Sequence, residues 1–258
     1  MSFFKKSLVL IVITLALTEA GFSEGLSYLP ELPLPEIVYQ NIPNSKKAEG
    51  YVAENGPNGE FQAGLFYFYE VINARGNKRP LRKGIQKRYI TKAIEYFENA
   101  KKSYSKNPYY IGMLGSAYGI RIRFSGFPAL LEWSRRCQVN LNEAVDLNPN
   151  NPEIRLIRLR SNVHFPYQYY KNLEDEIVED FNMITQWADI NLDKTSLNKN
   201  LKNYFSQTKS EAYFLVGNYY YEQVKKTDIA RSYLLKITKN SIYFKESQKI
   251  LDEIGYVN

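Results

Sequence analysis

A chain of 258 residues with 44% hydrophobic content has the length and composition of a globular protein able to bury a core. One cysteine, Cys137, and one histidine, His164, exclude an internal disulfide and make no structural zinc site, so packing must hold the fold together. The formal charge of +7 is spread along the chain, and 22 Tyr and 14 Phe supply side chains that pack between helices or line a partly wet groove.

Residues 1–20 have the order of a secretory signal peptide. Lys5 and Lys6 precede an uncharged apolar run, Ser7 to Leu17, and Thr18-Glu19-Ala20 offers a small-residue cleavage site before Gly21. The run is shorter than the roughly 20 residues a membrane span needs. The signal therefore predicts an exported, periplasmic or extracellular protein, with the segment either cleaved or kept as an anchor. Removing residues 1–20 takes away Lys5, Lys6 and Glu19 and leaves +6. Residues 21–57 carry Pro30, Pro33, Pro35, Pro43 and Pro57, a composition that predicts an irregular segment draped on the body or mobile.

From 58 to 258 the apolar residues recur three and four positions apart, without strand alternation, so this region is expected to be one helical domain. The spacing predicts helices over 60–74, 85–104, 109–122, 129–147, 152–164, 171–189, 209–224, 227–239 and 242–254. The first two are joined by a basic connector, Arg75 to Lys87, whose dense part is Asn77-Lys78-Arg79-Pro80-Leu81-Arg82-Lys83. Such a patch is able to attract anionic lipid, wall polymer or nucleic acid, but an exported protein rarely meets chromosomal DNA, and a solvated loop and helix start is the favoured reading.

Ala93, Phe97 and Ala100 share one helix face. After Asn107-Pro108 come Ile111, Leu114, Gly115 and Tyr118, then Cys137, Leu141 and Ala144, closed by Asn148-Pro149. Tyr213, Val216, Gly217 and Tyr220, followed by Ala230 and Leu234, repeat the pattern. Phe244, Ser247, Ile250, Leu251 and Ile254 form a last helix suited to capping a stack.

These residues resemble the tetratricopeptide repeat of exported bacterial proteins: a large residue, Leu-Gly and Tyr on helix A, then small, large and small residues on helix B, ended by Pro. The resemblance implies an all-α fold, a right-handed stack of antiparallel helix pairs (an α-solenoid), in which Gly115 and Gly217 admit a close neighbour and Pro149 stops a helix. It also implies that helix A lines a concave face, exposing Tyr109, Gly112, Ser116 and Gly119, and later Phe214, Asn218 and Tyr221. Three departures stand out. Tyr118 to Cys137 is about ten residues longer than the pattern, with Arg121, Arg123 and Phe124 to Pro128 in the insert. Tyr220 to Ala230 is one residue longer. Residues 152–205 put Arg155, Arg158 and Asn162 where core residues belong.

Little points to chemistry. His164 reads as a packing or capping residue and Cys137 as a small buried hydrophobe. Glu174-Asp175-Glu176 and Glu179-Asp180 read as the solvated, N-terminal face of a helix. No phosphate loop, HExxH or calcium loop is present. Arg158 is expected in an ion pair with Glu132, Glu143 or an acid of 174–180, or else facing the groove as an anion-binding group. The candidate groove set is thus Tyr109, Ser116, Arg158, Phe214, Asn218 and Tyr221, with no catalytic residue, metal or cofactor. The expected function is a non-catalytic scaffold binding a protein or peptide. A periplasmic accessory protein holding a solute or lipid in an inter-helix cavity is the alternative, and a helical-scaffold enzyme acting on cell-wall glycans comes third.

Overall fold

The computed structural model describes residues 48–74, 81–194 and 199–255, and the stretch 1–20 expected to be a signal peptide, residues 21–47 and positions 75–80 of the basic connector lie outside them. The described residues are helical and contain no strand. The chain divides into two compact units, Met1–Pro149 and Asn150–Asn258.

In the first unit, α1 (Ala48–Asn73) packs on α2 (Lys83–Ser103), α2 on α3 (Pro108–Ile122), and α3 on α4 (Ala129–Leu147). Helical backbone begins at Ala48, inside the stretch expected to be irregular. It breaks at Gly56, whose φ of 52° favours glycine, and resumes at Pro57. Pro57 thus opens the second segment, where a missing N–H leaves no hydrogen bond unmade. Asn107 caps α3 by accepting from the N–H groups of Tyr109 (3.0 Å) and Tyr110 (3.4 Å), with Pro108 in the first turn. The Tyr110 hydroxyl donates to Asn58 Oδ1 at 2.5 Å and its ring stacks on Phe61 at 4.2 Å, tying the start of α3 to α1.

The predicted packing residues Ala93, Phe97, Ala100, Leu114, Tyr118, Leu141 and Ala144 are all buried. The close approach of α3 and α4 has a direct measure: a Cβ on Gly115 would lie 2.9 Å from Leu141 Cγ and 3.1 Å from its backbone nitrogen. The first pair has the same device. A Cβ on Gly64 would lie 2.5 Å from Phe97 Cε1, so α1 and α2 meet through a glycine against a large residue too. Lys101 spans α2 and α4, donating to Glu143 Oε2 (2.7 Å) and Asn140 Oδ1 (3.0 Å). Pro149 is exposed just beyond the end of α4.

In the second unit, α5 (Pro152–Asn162) packs on α6 (Leu173–Leu192), α6 on α7 (Lys199–Tyr219), and α7 on α8 (Thr227–Leu234), with α9 (Phe244–Glu253) following against α8. Asn151 caps α5 as Asn107 caps α3, accepting from Glu153 and Ile154 N–H groups. Helix α7 starts ten positions before the expected 209, because the polar run from Lys199 carries only a sparse apolar stripe. It continues through Tyr220–Val224 as a wider π-helical turn that ends at Lys225, φ 61°. A Cβ on Gly217 would lie 2.7 Å from Leu234 Cδ2, and Ala230 and Tyr220 are buried beside this contact. Helix α8 stops at Leu234 rather than 239. Phe214, Leu234, Ile237, Tyr243, Ile250 and Leu251 then form one apolar cluster covered by Phe244 and Ile254.

Candidate functional site

The insert between α3 and α4 builds an arginine and aromatic surface in the first unit. Tyr118 and Arg121 stand one turn apart at the end of α3, and Glu132, Trp133, Arg135 and Arg136 occupy the first turns of α4. Their rings and guanidiniums come together because the glycine contact holds the two helices close. The Trp133 ring lies 5.5 Å from that of Tyr118, and the Arg121 and Arg136 guanidinium carbons lie 5.5 and 5.3 Å from its centroid, inside the range of cation–π attraction.

Charge is only partly balanced there. The Tyr118 hydroxyl donates to Glu98 Oε1 at 2.6 Å, and Arg136 reaches the same carboxylate at 3.9 Å. Glu132 accepts from Arg135 through both oxygens and from Arg136 Nε at 2.8 Å, which holds its carboxyl down at about 2. Arg121 instead donates to Phe124 O (3.2 Å) and Ser125 Oγ (3.1 Å), and burial lowers its pKa. Arg123 lies over Phe124 at 5.5 Å. Four arginines thus face two carboxylates, beside the exposed side chains of Phe127 (40%) and Leu131 (41%). The insert with Arg121 and Arg123 is visible in the sequence as a departure from the repeat. The parts played by Trp133, Arg136 and Glu98 are not, because they depend on how far apart the two helix axes lie.

The groove candidates fall in different places. Tyr109 and Ser116 are half-buried on α3 in the first unit. Asn218 and Tyr221 are half-buried in the second, where Tyr221 donates to Glu253 Oε2 at 2.9 Å. Phe214 is a correction: it is 3% exposed, inside the cluster of α7, α8 and α9 rather than on an open face, because the final helices cover it.

Arg158 is a second correction to the groove set. It is 6% exposed and donates through Nε and Nη2 to the two oxygens of Asp180, each at 2.8 Å. Arg155 Nη1 reaches Asp180 Oδ1 at 2.9 Å and Glu179 Oε1 at 3.0 Å. Asp180 is fully buried, so it leaves the solvated acidic face assigned to 174–180. Asn162, also fully buried, donates to Glu176 Oε2 at 3.0 Å. Burial opposes ionisation of the Arg158 guanidinium, but its bonds to Asp180 outweigh that and raise its pKa. Where the first unit joins its pairs through glycine, α5 and α6 join through this ion cluster. Arg160 adds a two-bond pair to Glu211 of α7 at 2.6 and 2.8 Å.

Cys137 is fully buried, its sulfur 3.2 Å from where a Cβ on Gly119 would stand, and burial pushes its thiol up to about 12. The thiol should therefore resist iodoacetamide near pH 8 in the folded protein and take one label in denaturant. Labelling in native buffer at the rate of a free thiol would show that α3 and α4 separate. Among the described residues no group of three or more His, Cys, Asp or Glu side chains is placed to hold a metal, and no helix is long and apolar enough to cross a membrane. Family models, curated proteins and solved structures return no match to this chain.

Proposed function

We propose that the protein is an exported binding scaffold of the tetratricopeptide type, taking a protein or peptide partner without chemistry of its own. The observation that carries the reading is the Arg121–Trp133–Arg136 surface: positive charge exceeding the nearby carboxylates among the described residues, set against aromatic faces, on the two helix ends that flank an insert the repeat pattern does not require. Aromatic residues and arginine are the side chains that concentrate binding energy at protein interfaces. The repeat assignment is supported by glycine against a large residue in three helix pairs, Gly64–Phe97, Gly115–Leu141 and Gly217–Leu234. In a stack of such pairs each covers a face its neighbour leaves bare. Export is supported by the order of residues 1–20.

Affinity capture from the native envelope fraction tests it. The wild-type chain should recover a protein partner in stoichiometric amount, and the Arg121→Glu and Trp133→Ala variants should each lose most of it while keeping the wild-type melting temperature. Recovery of only a small molecule, or equal recovery by all three proteins, would overturn the proposal.

A further inference from the structure

The second unit holds a polar centre separate from its arginine cluster. Glu174 lies in the first turn of α6, a helix anchored by the buried Leu173 and Ile177. The Tyr220 hydroxyl donates to Glu174 Oε1 at 2.9 Å, and the charge of the same carboxylate raises the pKa of Tyr167 nearby. The Tyr233 ring stacks on Tyr220 at 5.7 Å and 9°, and the Tyr219 ring lies 5.5 Å from Tyr220 and 6.5 Å from Tyr167. Tyr219 and Tyr220 are neighbours in sequence, yet both are buried, 1% and 5% exposed, where α7 widens into its π-helical turn. Such turns recur at functional sites in proteins generally.

A carboxylate in the first turn of a helix is ordinary, because the dipole there favours negative charge. Two further observations are not. Glu176 and Glu179 sit beside arginines, whereas among the described residues Glu174 has no ion pair and is instead bonded by the Tyr220 phenol. The Tyr219 hydroxyl is buried and makes no hydrogen bond, although it lies near enough to Glu174 and Tyr167 for both to raise its pKa after burial itself has done so. A buried polar atom without a partner calls for an explanation, and here it lies within electrostatic reach of the Glu174 carboxylate.

We propose that Glu174 and the ring of Tyr167, Tyr219, Tyr220 and Tyr233 bind an organic cation, an ammonium or guanidinium group. The Glu174 carboxylate meets its charge, the Tyr219 oxygen accepts one of its N–H bonds, and the aromatic faces attract it through their quadrupoles. Burial holds the Tyr219 and Tyr220 phenols well above their usual range, so they stay neutral and leave Glu174 as the one formal charge of the ring. Tyr167, Tyr233 and Glu174 are each part-exposed and form the open side.

The cation could be a free amine or a Lys or Arg side chain on another protein. Calorimetric titration of the full mature chain with n-butylammonium, n-butylguanidinium, butyrate and blocked tripeptides centred on Lys or Arg separates the two. Saturable binding of the cations but not of butyrate is expected. Equal affinity for butylammonium and the tripeptide assigns a free amine, and clearly tighter tripeptide binding assigns a side chain. Glu174→Gln and Tyr219→Phe, which removes one oxygen, should each weaken binding about tenfold or more, on the scale of a charged hydrogen bond. Both variants should unfold at the wild-type temperature. No saturable binding by any cation, or binding untouched by both substitutions, would overturn the proposal. Arg121→Glu should leave cation binding unchanged, so this site and the arginine surface of the first unit stand or fall separately.

Discussion

Replacing Asp180 by Ala is expected to cost on the order of 3–5 kcal/mol, the largest single-residue loss in the second unit. The carboxylate is fully buried and accepts three hydrogen bonds from Arg155 and Arg158, themselves 5% and 6% exposed. Taking it away leaves two guanidiniums out of water without the buried carboxylate that both of them bond, and the exposed Glu179 is a weak substitute. For a chain of this size that is a fall in melting temperature on the order of 10 °C. Glu179→Ala is the control. Its side chain is 61% exposed, so it should lose no more than about 0.5 kcal/mol. Replacing all three residues at once, Arg155→Met, Arg158→Met and Asp180→Leu, should recover most of the loss, because removing a whole buried ion cluster also removes its desolvation cost. Urea unfolding of the four proteins checks the set. An Asp180→Ala loss below about 1 kcal/mol would mean that water reaches the cluster.

The second large effect belongs to the glycines. Gly115→Ala should destabilise by about 1–3 kcal/mol even though Ala is the better helix former by about 1 kcal/mol. The new Cβ would stand 3.1 Å from the Leu141 backbone nitrogen, which cannot turn aside as a side chain can. Gly217→Ala meets mainly the end of Leu234, at 2.7 Å from Cδ2, with the Ala230 carbonyl oxygen at 3.4 Å. Its cost should largely vanish in a Leu234→Ala background, so the double-mutant cycle should show a coupling of about 1 kcal/mol or more. Gly84→Ala, with no atom within 4 Å of the added carbon, should be neutral or slightly stabilising. Thermal unfolding reads all three. If Gly115→Ala matches Gly84→Ala, the two helices are not in close contact and the repeat assignment fails with it.

That Gly115 and Gly217 admit a close neighbour was legible from fixed offsets along each helix; that Leu141 and Leu234 are the side chains that meet them was not. The same contact at Gly64–Phe97 was half legible. Ala93, Phe97 and Ala100 marked the second helix, but Glu60, Ala63 and Tyr67 around Gly64 lack the Leu-Gly signature, and a long connector separates the two. Phe214 was misplaced on an open face because a helical wheel shows which residues share a side, not whether α8 and α9 lie across it.

Helical periodicity is a property of neighbours along the chain, and so the residue order alone determined that this region is helical, where most helices run, and that Gly115 and Gly217 face a close neighbour. Ion-pair choice and exposure depend on rotations between helices many residues apart. Only the tertiary structure decided that Asp180 is the acid beneath Arg155 and Arg158, that Trp133 gathers Arg121 and Arg136, and that Tyr219 and Tyr220 close around Glu174. Each of those outcomes turns on a few ångströms and a few tens of degrees between packed axes, which no spacing of letters encodes.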